Sequence, residues 1–326
     1  MFLRQEEIVT ATVAKVLIVR GLVLGVTLLA LLVPARVPAE DGARTISVLS
    51  YNVHGLFPLI AKDNPRDRMP IVGWLANKYD VALFQEDFEY SDLLDAQMSG
   101  SIGTRGNGMG WDPRRVAAKV LLAPVVVFLP HFGPPYGAGL SAFVKAPLLV
   151  PDDVNREPYH VCNGWFGANG DCWANKGFLR VGLRAAGDAR IDVYTTHLEA
   201  GSSDESIAVR RAQLERLAAA VETLSEARAV IVAGDFNVGF NRPGDRELIT
   251  EFRDRLGLRD SGAGPELPFW RERNYILYRG GAGVTLEVER AGEATEFVNR
   301  RRALSDHPAL YARFRVESRR TEEGAR

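Results

Sequence analysis

The sequence has almost no cysteine and no excess charge of either sign. Only two cysteines occur in 326 residues, and no Cys-x-x-Cys or Cys/His spacing of a zinc site is present. A cysteine-built zinc centre and a many-disulfide scaffold are therefore excluded. Lys and Arg number 40 against 41 Asp and Glu, a net charge of −1. A protein held mainly by nucleic-acid backbone shows a basic surface, so only a local basic patch stays open. No apolar run reaches the roughly 20 residues that a comfortable membrane helix needs. Internal repeats and an interdomain linker are also missing. What remains is ordinary globular composition, 46% apolar and 25% charged, in a chain with only five histidines. A length-based prior suggests about two domains, but sandwich folds of this length also form one unit.

Compartment is read at the amino terminus. Gly21 to Val33 is thirteen residues without a charge, preceded by Lys15 and Arg20 and followed by the small-residue site Val37-Pro38-Ala39. That fits a signal-peptide apolar region of about 7–15 residues. The expectation is export: periplasmic, secreted or, if the apolar residues from Ala11 onward join in and Lys15 and Arg20 snorkel, membrane-anchored. The long start with Glu6 and Glu7 is untypical of a signal peptide, and a buried soluble helix is the third reading. The divisions are 1–42 as signal or anchor with a linker, 43–317 as the folded domain and 318–326 as a disordered tail. Cys162 and Cys172 enclose nine residues rich in Gly and Asn. They pair as a disulfide in an exported protein and stay free thiols in a cytosolic one.

Along the folded part, apolar strands are expected at Ile46 to Val53, Val81 to Phe84, Gly137 to Phe143, Gly177 to Leu183, Arg190 to Thr196, Ala229 to Ala233, Asn274 to Tyr278, Val284 to Val288 and Ala309 to Val316. Val116 to Leu129 is expected to contain another. Helical spacing appears over Arg66 to Lys78, Ser91 to Met98, Asp204 to Leu224 and Asp245 to Leu256. Gly100 to Gly110 reads as a loop and Asp152 to Asn175 as a long irregular segment. Strands in adjacent pairs with helices at intervals suggest two mixed sheets packed face to face, helices outside.

Polar residues stand at the exits of these strands: Asn52, Glu86, His197, Asp235 with Asn237, and Asp306-His307. Asp235 and Asn237, two residues apart past a buried strand, point the same way. A lone carboxylate such as Glu86 at a buried strand exit needs a partner, and a hard cation is one, with Asn52 adding a neutral oxygen. Asp306 beside His307 suits a general base held near neutral pH. Each also has an ordinary reading as a turn residue, helix cap, surface ion pair or structural histidine. Their joint occurrence at strand ends favours chemistry.

YNVHG, QED, THLEAG, GDFN and SDHPA, in this order over about Thr45 to Val316, resemble the ordered signatures of the endonuclease/exonuclease/phosphatase superfamily. The resemblance implies a four-layered α/β sandwich of two mixed β-sheets flanked by helices, DNase I-like, that cleaves phosphoester bonds with Mg²⁺, or with Mn²⁺ or another divalent cation. It implies Glu86 as principal metal ligand with Asn52 beside it, and His307 as general base. Asp306 would orient or support the site. His197 and Asn237 would hold phosphoryl oxygens, and Asp235 would position the nucleophile or a second metal. The segment Asp171 to Phe178 is similar to the neutral sphingomyelinase-like branch, which carries an Asp and a Lys five residues apart, here Asp171 and Lys176. Lys176 is then a point charge for a phosphodiester oxygen, with Asp171 in the same substrate-binding role. The function so implied is an exported phosphodiesterase of phospholipase C type acting on a phospholipid head group, with a membrane surface as partner. Trp165, Phe166, Trp173, Phe269 and Trp270 would meet that surface, or pack over the sheet edges. The alternative is an extracellular endonuclease using Arg66, Arg68, Arg105, Arg114, Arg115 and Arg300 to Arg302 on nucleic acid. A non-catalytic binding module is the third. One departure stands out: members commonly carry an Asp before a late Tyr-Ile/Phe strand, where this chain has Asn274. An amide can hold the imidazole but cannot stabilise imidazolium. His307 is then a weaker base, another acid such as Asp306 takes over, or the local alignment shifts.

Overall fold

The computed structural model describes residues 44–56, 58–104, 137–164, 171–184, 190–239, 242–262 and 273–318. The described residues all belong to one compact unit within Asp41–Arg326. The expected leader, the strand in Val116 to Leu129, the hairpin turn Ala185 to Asp188, and Trp165, Phe166, Phe269, Trp270, Arg105, Arg114 and Arg115 lie outside them.

The strands are β1 (Arg44–Asn52), β2 (Val81–Gln85), β3 (Ser101–Thr104), β4 (Ser141–Lys145), β5 (Leu149–Pro158), β6 (Gly177–Arg184), β7 (Arg190–His197), β8 (Ala229–Asp235), β9 (Arg259–Asp260), β10 (Asn274–Arg279), β11 (Val284–Glu293), β12 (Val298–Asn299), β13 (Arg302–Ala303) and β14 (Leu310–Ser318). The helices are α1 (Pro58–Ala61), α2 (Pro65–Ala76), α3 (Ser91–Asp95), α4 (Asp204–Leu224) and α5 (Pro243–Leu256). Two six-stranded sheets form, in the orders β11-β14-β1-β2-β4-β3 and β5-β6-β7-β8-β10-β9, with β12-β13 a small separate pair. Both sheets are mixed. Each holds one parallel pair, β1 with β2 and β7 with β8, and the helices between them are the crossovers.

Alternation along the strands builds four layers. Ile46 and Val48 of β1, Val81 and Leu83 of β2, and Ala142 and Val144 of β4 face Val181, Val193, Ile231, Ala233 and Ile276 in a core between the sheets. The intervening residues face outward. Leu49, Tyr51, Ala82 and Phe84 lie under Met69, Val72 and Ala76 of α2 and Leu94 of α3. Tyr194, Val230, Val232, Tyr275 and Leu277 lie under Leu214, Leu217 and Val221 of α4 and Leu248, Ile249 and Phe252 of α5. α4 starts where its sequence caps it: Ser203 Oγ accepts from Ser206 N at 3.2 Å, and Asp204 and Glu205 fill the first turn.

The sandwich expected from the sequence is the one observed, with local differences. β3 occupies part of the Gly100 to Gly110 stretch read as a loop, because Ser101 to Thr104 pairs as the edge strand with β4 despite Gly103. β5 takes the start of the segment read as irregular, its polar sequence fitting an exposed edge. β11 continues to Glu293 past an irregularity between Val288 and Arg290, where the apolar alternation breaks and the reading stopped. β14 runs to Ser318, one residue into the stretch assigned to the tail.

Close approach of β7 and β8 near the site requires glycine. Gly234 has φ 148°, and a Cβ there would sit 2.0 Å from Thr196 O. In the intersheet core, Phe314 is fully buried, edge-on to Tyr278 with ring centroids 5.1 Å apart. Phe314→Ala should lower unfolding free energy by about 3–5 kcal/mol in urea titration, and a loss below ~1 kcal/mol would contradict this packing.

Candidate active site

At one end the layer between the sheets turns from apolar to polar. Asn52 is in phase with Ile46 and Val48, His197 with Ile191 and Val193, Asp235 with Ile231 and Ala233, and Asn274 with Ile276 and Tyr278. The register places His197 opposite Asp235, and Asp235 opposite Asn274, in one row across three strands. The carboxyl ends of both parallel pairs supply the cluster, the usual place for a site in such sheets.

Asn52 joins the two sheets. Its Nδ2 donates to Glu86 Oε1 and to Asp235 Oδ2, each at 3.0 Å, while its Oδ1 accepts from His54 N at 3.0 Å. Asp235 is the hub of the second sheet. Its Oδ2 lies 3.7 Å from His197 Nε2 and 3.6 Å from His307 Nδ1, and its Oδ1 accepts from Asn237 N at 3.0 Å. Glu86 Oε1 is 3.9 Å from His197 Nε2. Glu86 and Asn237 take left-handed φ values of 54° and 51°. For Glu86 this costs backbone energy, and hydrogen bonds from Gly55 N and Phe88 N to its carbonyl hold the turn.

Burial raises Glu86 above the ordinary carboxylate range, helped by the Asp235 charge and opposed by the Asn52 hydrogen bond and Lys176. Burial, with the charges of Lys176 and His307, pushes His197 well below 6.5, so its imidazole is neutral. Its Nδ1 is buried without a hydrogen-bond partner among the described residues.

Two carboxylate oxygens converging on one amide nitrogen suit a hard cation, because a neutral amide only partly compensates two charges. Glu86 and Asn52 supply oxygen-type ligands of the kind Mg²⁺ takes, alongside water and substrate phosphate. Among the described residues no group of three or more His, Cys, Asp or Glu surrounds a common point. The chemistry of the donor set therefore fits a sparsely ligated Mg²⁺ rather than a closed structural centre.

Asp306 pairs with His54 just past the end of β1. Its Oδ1 is 3.0 Å from His54 Nδ1. Asn274 Nδ2 lies 3.3 Å from His307 Nδ1, beside the Asp235 carboxylate. The acid facing His307 on that side is thus Asp235. Lys176 is buried, with Nζ 2.6 Å from Asp171 Oδ1 and donating to Leu198 O at 2.8 Å. The same carbonyl accepts from Asn237 Nδ2 at 2.9 Å, tying Lys176 to the cluster. Cys162 and Cys172 are bonded to each other, with Cα atoms 5.3 Å apart, next to Asp171.

Four supporting residues were missed in the sequence. Gln85 donates across the sheets to Thr195 Oγ1 at 2.9 Å, and its inward phase with Val81 and Leu83 was the available signal. His54 lay in YNVHG and Glu199 in THLEAG without an assigned part. Arg68, grouped above with nucleic-acid contacts, is buried: it donates to the carbonyls of Val53 and His54 and pairs with Asp63 at 2.8 Å. It braces the exit of β1 and leaves no guanidinium for a phosphate backbone. Trp173, expected to meet a membrane surface or to pack over a sheet edge, is half-buried, in the short turn Asp171–Trp173.

Residues 49–307 match the model of the Endonuclease/Exonuclease/phosphatase family. The chain is similar to the sphingomyelinase of Mycobacterium tuberculosis, 28% identical over 292 residues, 84% of this chain and 53% of that protein. It spans about half the length of the curated relatives it matches. In fold it is similar to sphingomyelinase C from Streptomyces griseocarneus, with TM-score 0.56, 20% identity, and coverage of 82% of this chain and 99% of that one. It is likewise similar to a mutant of Staphylococcus aureus beta toxin with bound magnesium ions, with TM-score 0.56, 16% identity, and coverage of 85% and 100%.

The His54–Asp306 pair is open to direct measurement. The hydrogen bond with Asp306 raises His54 above 6.5 against the opposite pull of burial. Burial would raise Asp306, but the hydrogen bond and charge of His54, with the charge of His307, bring it down to about 2. Imidazole NMR should show His54 titrating above 6.5, and Asp306→Asn should lower that midpoint; an unchanged midpoint would exclude the pair. Because the folded value is the higher one, the contribution of His54 to stability is complete below its unfolded value and fades as pH rises through the folded one.

Proposed function

Because the chain belongs to the Endonuclease/Exonuclease/phosphatase family, we propose that it is an exported, Mg²⁺-dependent phosphodiesterase of phospholipase C type that releases the head group of a phosphosphingolipid such as sphingomyelin. The observation that carries this reading is the buried Lys176, held by Asp171 and Leu198 O against the cluster of Glu86, His197, Asp235 and Asn237. A fixed ammonium beside paired carboxylates suits a substrate with a single phosphodiester charge. Likeness to a sphingomyelinase over 84% of the chain supports the lipid class. The uncharged stretch Gly21 to Val33 and the Cys162–Cys172 bond support export.

In this reading His307 takes the proton of the attacking water, with Asp235 beside its Nδ1 to favour the imidazolium that forms. Neutral His197 donates an N–H to a phosphoryl oxygen as charge develops. Lys176 orients the diester. Asn237 keeps Asp235 and the Leu198 carbonyl in place. Glu86 and Asn52 would hold Mg²⁺, which when bound supplies Lewis-acid stabilisation and a template for the phosphate.

The endonuclease alternative rests on Arg300, Arg301 and Arg302, exposed shortly before the site residues Asp306 and His307. Sphingomyelin vesicles and plasmid DNA assayed side by side separate the two. Lipid cleavage should vanish with EDTA and in Glu86→Gln, and His307→Ala should lower kcat by roughly 10²–10⁴-fold. DNA nicking with no head-group release would assign the chain to the nuclease reading.

A further inference from the structure

Lys176 stands next to one more carboxyl than its charge can balance. Glu199 is 1% exposed and lies two residues beyond His197. Its Oε2 accepts from Asn163 N at 3.2 Å, and its backbone N donates to Gln213 Oε1 at 2.7 Å. Its other oxygen, Oε1, is buried and has no partner in regular hydrogen-bond geometry among the described residues. The Glu199 side chain faces the Asp171 carboxyl. Each oxygen of Asp171 has one donor, Oδ1 contacting Lys176 Nζ at 2.6 Å and Oδ2 accepting from Ala200 N at 2.5 Å, and each has a lone pair left for a carboxylic O–H.

The other charged groups around Glu199 do not neutralise it. Arg210 of α4 donates to the Glu199 carbonyl, but its charge is paired with Asp245 of α5 at 2.8 Å. His197, before it in the chain, is neutral. Lys176 is shared with Asp171, and its field also reaches Glu86 and His197. Were Glu199 ionised, the trio of Asp171, Lys176 and Glu199 would carry a net negative charge in a buried place that has to receive an anion. With a proton on Glu199, the trio is neutral.

We propose that Glu199 is a positioning residue for Lys176: kept uncharged beside Asp171, it holds Asp171 on Lys176 and Ala200 and leaves the lysine field available to a phosphodiester oxygen. This rests on the phosphodiesterase reading in assigning Lys176 to the phosphate. Burial and the Asp171 charge push Glu199 up to about 8, in agreement with that arrangement. The chemistry recognised is one negative charge on a phosphodiester, whether from a lipid head group or a nucleic-acid backbone.

The test compares wild type with Glu199→Gln, an uncharged side chain of the same shape, at pH 7 and pH 9. One arm measures kcat/KM for a cleaved diester. The other measures the Kd of dimethyl phosphate by NMR, a diester with one charge at both pH values. Wild type should lose about tenfold in both between pH 7 and pH 9, and Glu199→Gln should change by less than about twofold, because its side chain has no proton to lose. An equal fall in both proteins, no fall in wild type, or no binding of dimethyl phosphate at either pH would overturn the proposal. If wild type cleaves neither sphingomyelin nor DNA, the enzymatic reading fails while the binding arm still decides the part of Glu199. Should Glu199→Gln not fold, ¹³C NMR of the wild-type Glu199 carboxyl decides: titration near pH 8 supports the proposal, and titration in the ordinary glutamate range overturns it.

Discussion

One side-chain amide holds the two sheets in register at the place where they must agree. Asn52 lies at the end of a strand in the first sheet, yet it donates equally to Glu86 of that sheet and to Asp235 of the other. The apolar layer behind it sets the distance between the sheets, and the amide sets what happens where that layer ends. Hydrocarbon packing tolerates small slips, whereas two charge-assisted hydrogen bonds from one nitrogen do not. The position of Asp235, and through it of His197, His307 and Asn237, is therefore referred to β1.

That constraint also organises the electrostatics. Half-buried Glu86 and buried Asp235 are like charges drawn to one point, an arrangement that costs free energy unless a cation or donors compensate it. The compensation within the chain is partial: an amide, a neutral imidazole and the ammonium of Lys176, itself shared with Asp171. A site left short of positive charge suits the divalent cation proposed for it. The same shortage makes a further ionised carboxyl at Glu199 unaffordable, which is why its protonation bears on phosphate binding.

Much of this was legible from alternation. Asn52, His197, Asp235 and Asn274 each fall on the inward phase of an apolar strand, so period-two patterning alone separates them from surface polar residues. The layers were legible for the same reason. What escaped depended on pairing between distant segments. β3 and β5 are edge strands whose sequences are glycine-rich or polar, and only their partners β4 and β6 make them strands. Arg68 resembled a surface arginine because it stands in the charged first turn of its helix, after Arg66 and Asp67, yet the carbonyls it caps, of Val53 and His54, lie just past the end of β1, fifteen and fourteen residues earlier. His54 and Asp306 are more than 250 positions apart in the chain, and neither local sequence announces the other.

The substitution of an amide at Asn274 then has a structural answer. A carboxylate there would face His307 Nδ1, but Asp235 already stands 3.6 Å from that atom while accepting from Asn52. A second acid at 274, paired across the strands with Asp235, would add a third buried carboxylate to a cluster that lacks positive charge. The amide keeps contact with the imidazole without that cost, and Asp235 stands beside His307 from the neighbouring strand. Asp306 is free to pair with His54 instead, fastening the loop that carries His307 to the exit of β1. His307, the proposed general base, is thus referred back through both Asp235 and Asp306 to the strand on which Asn52 sits.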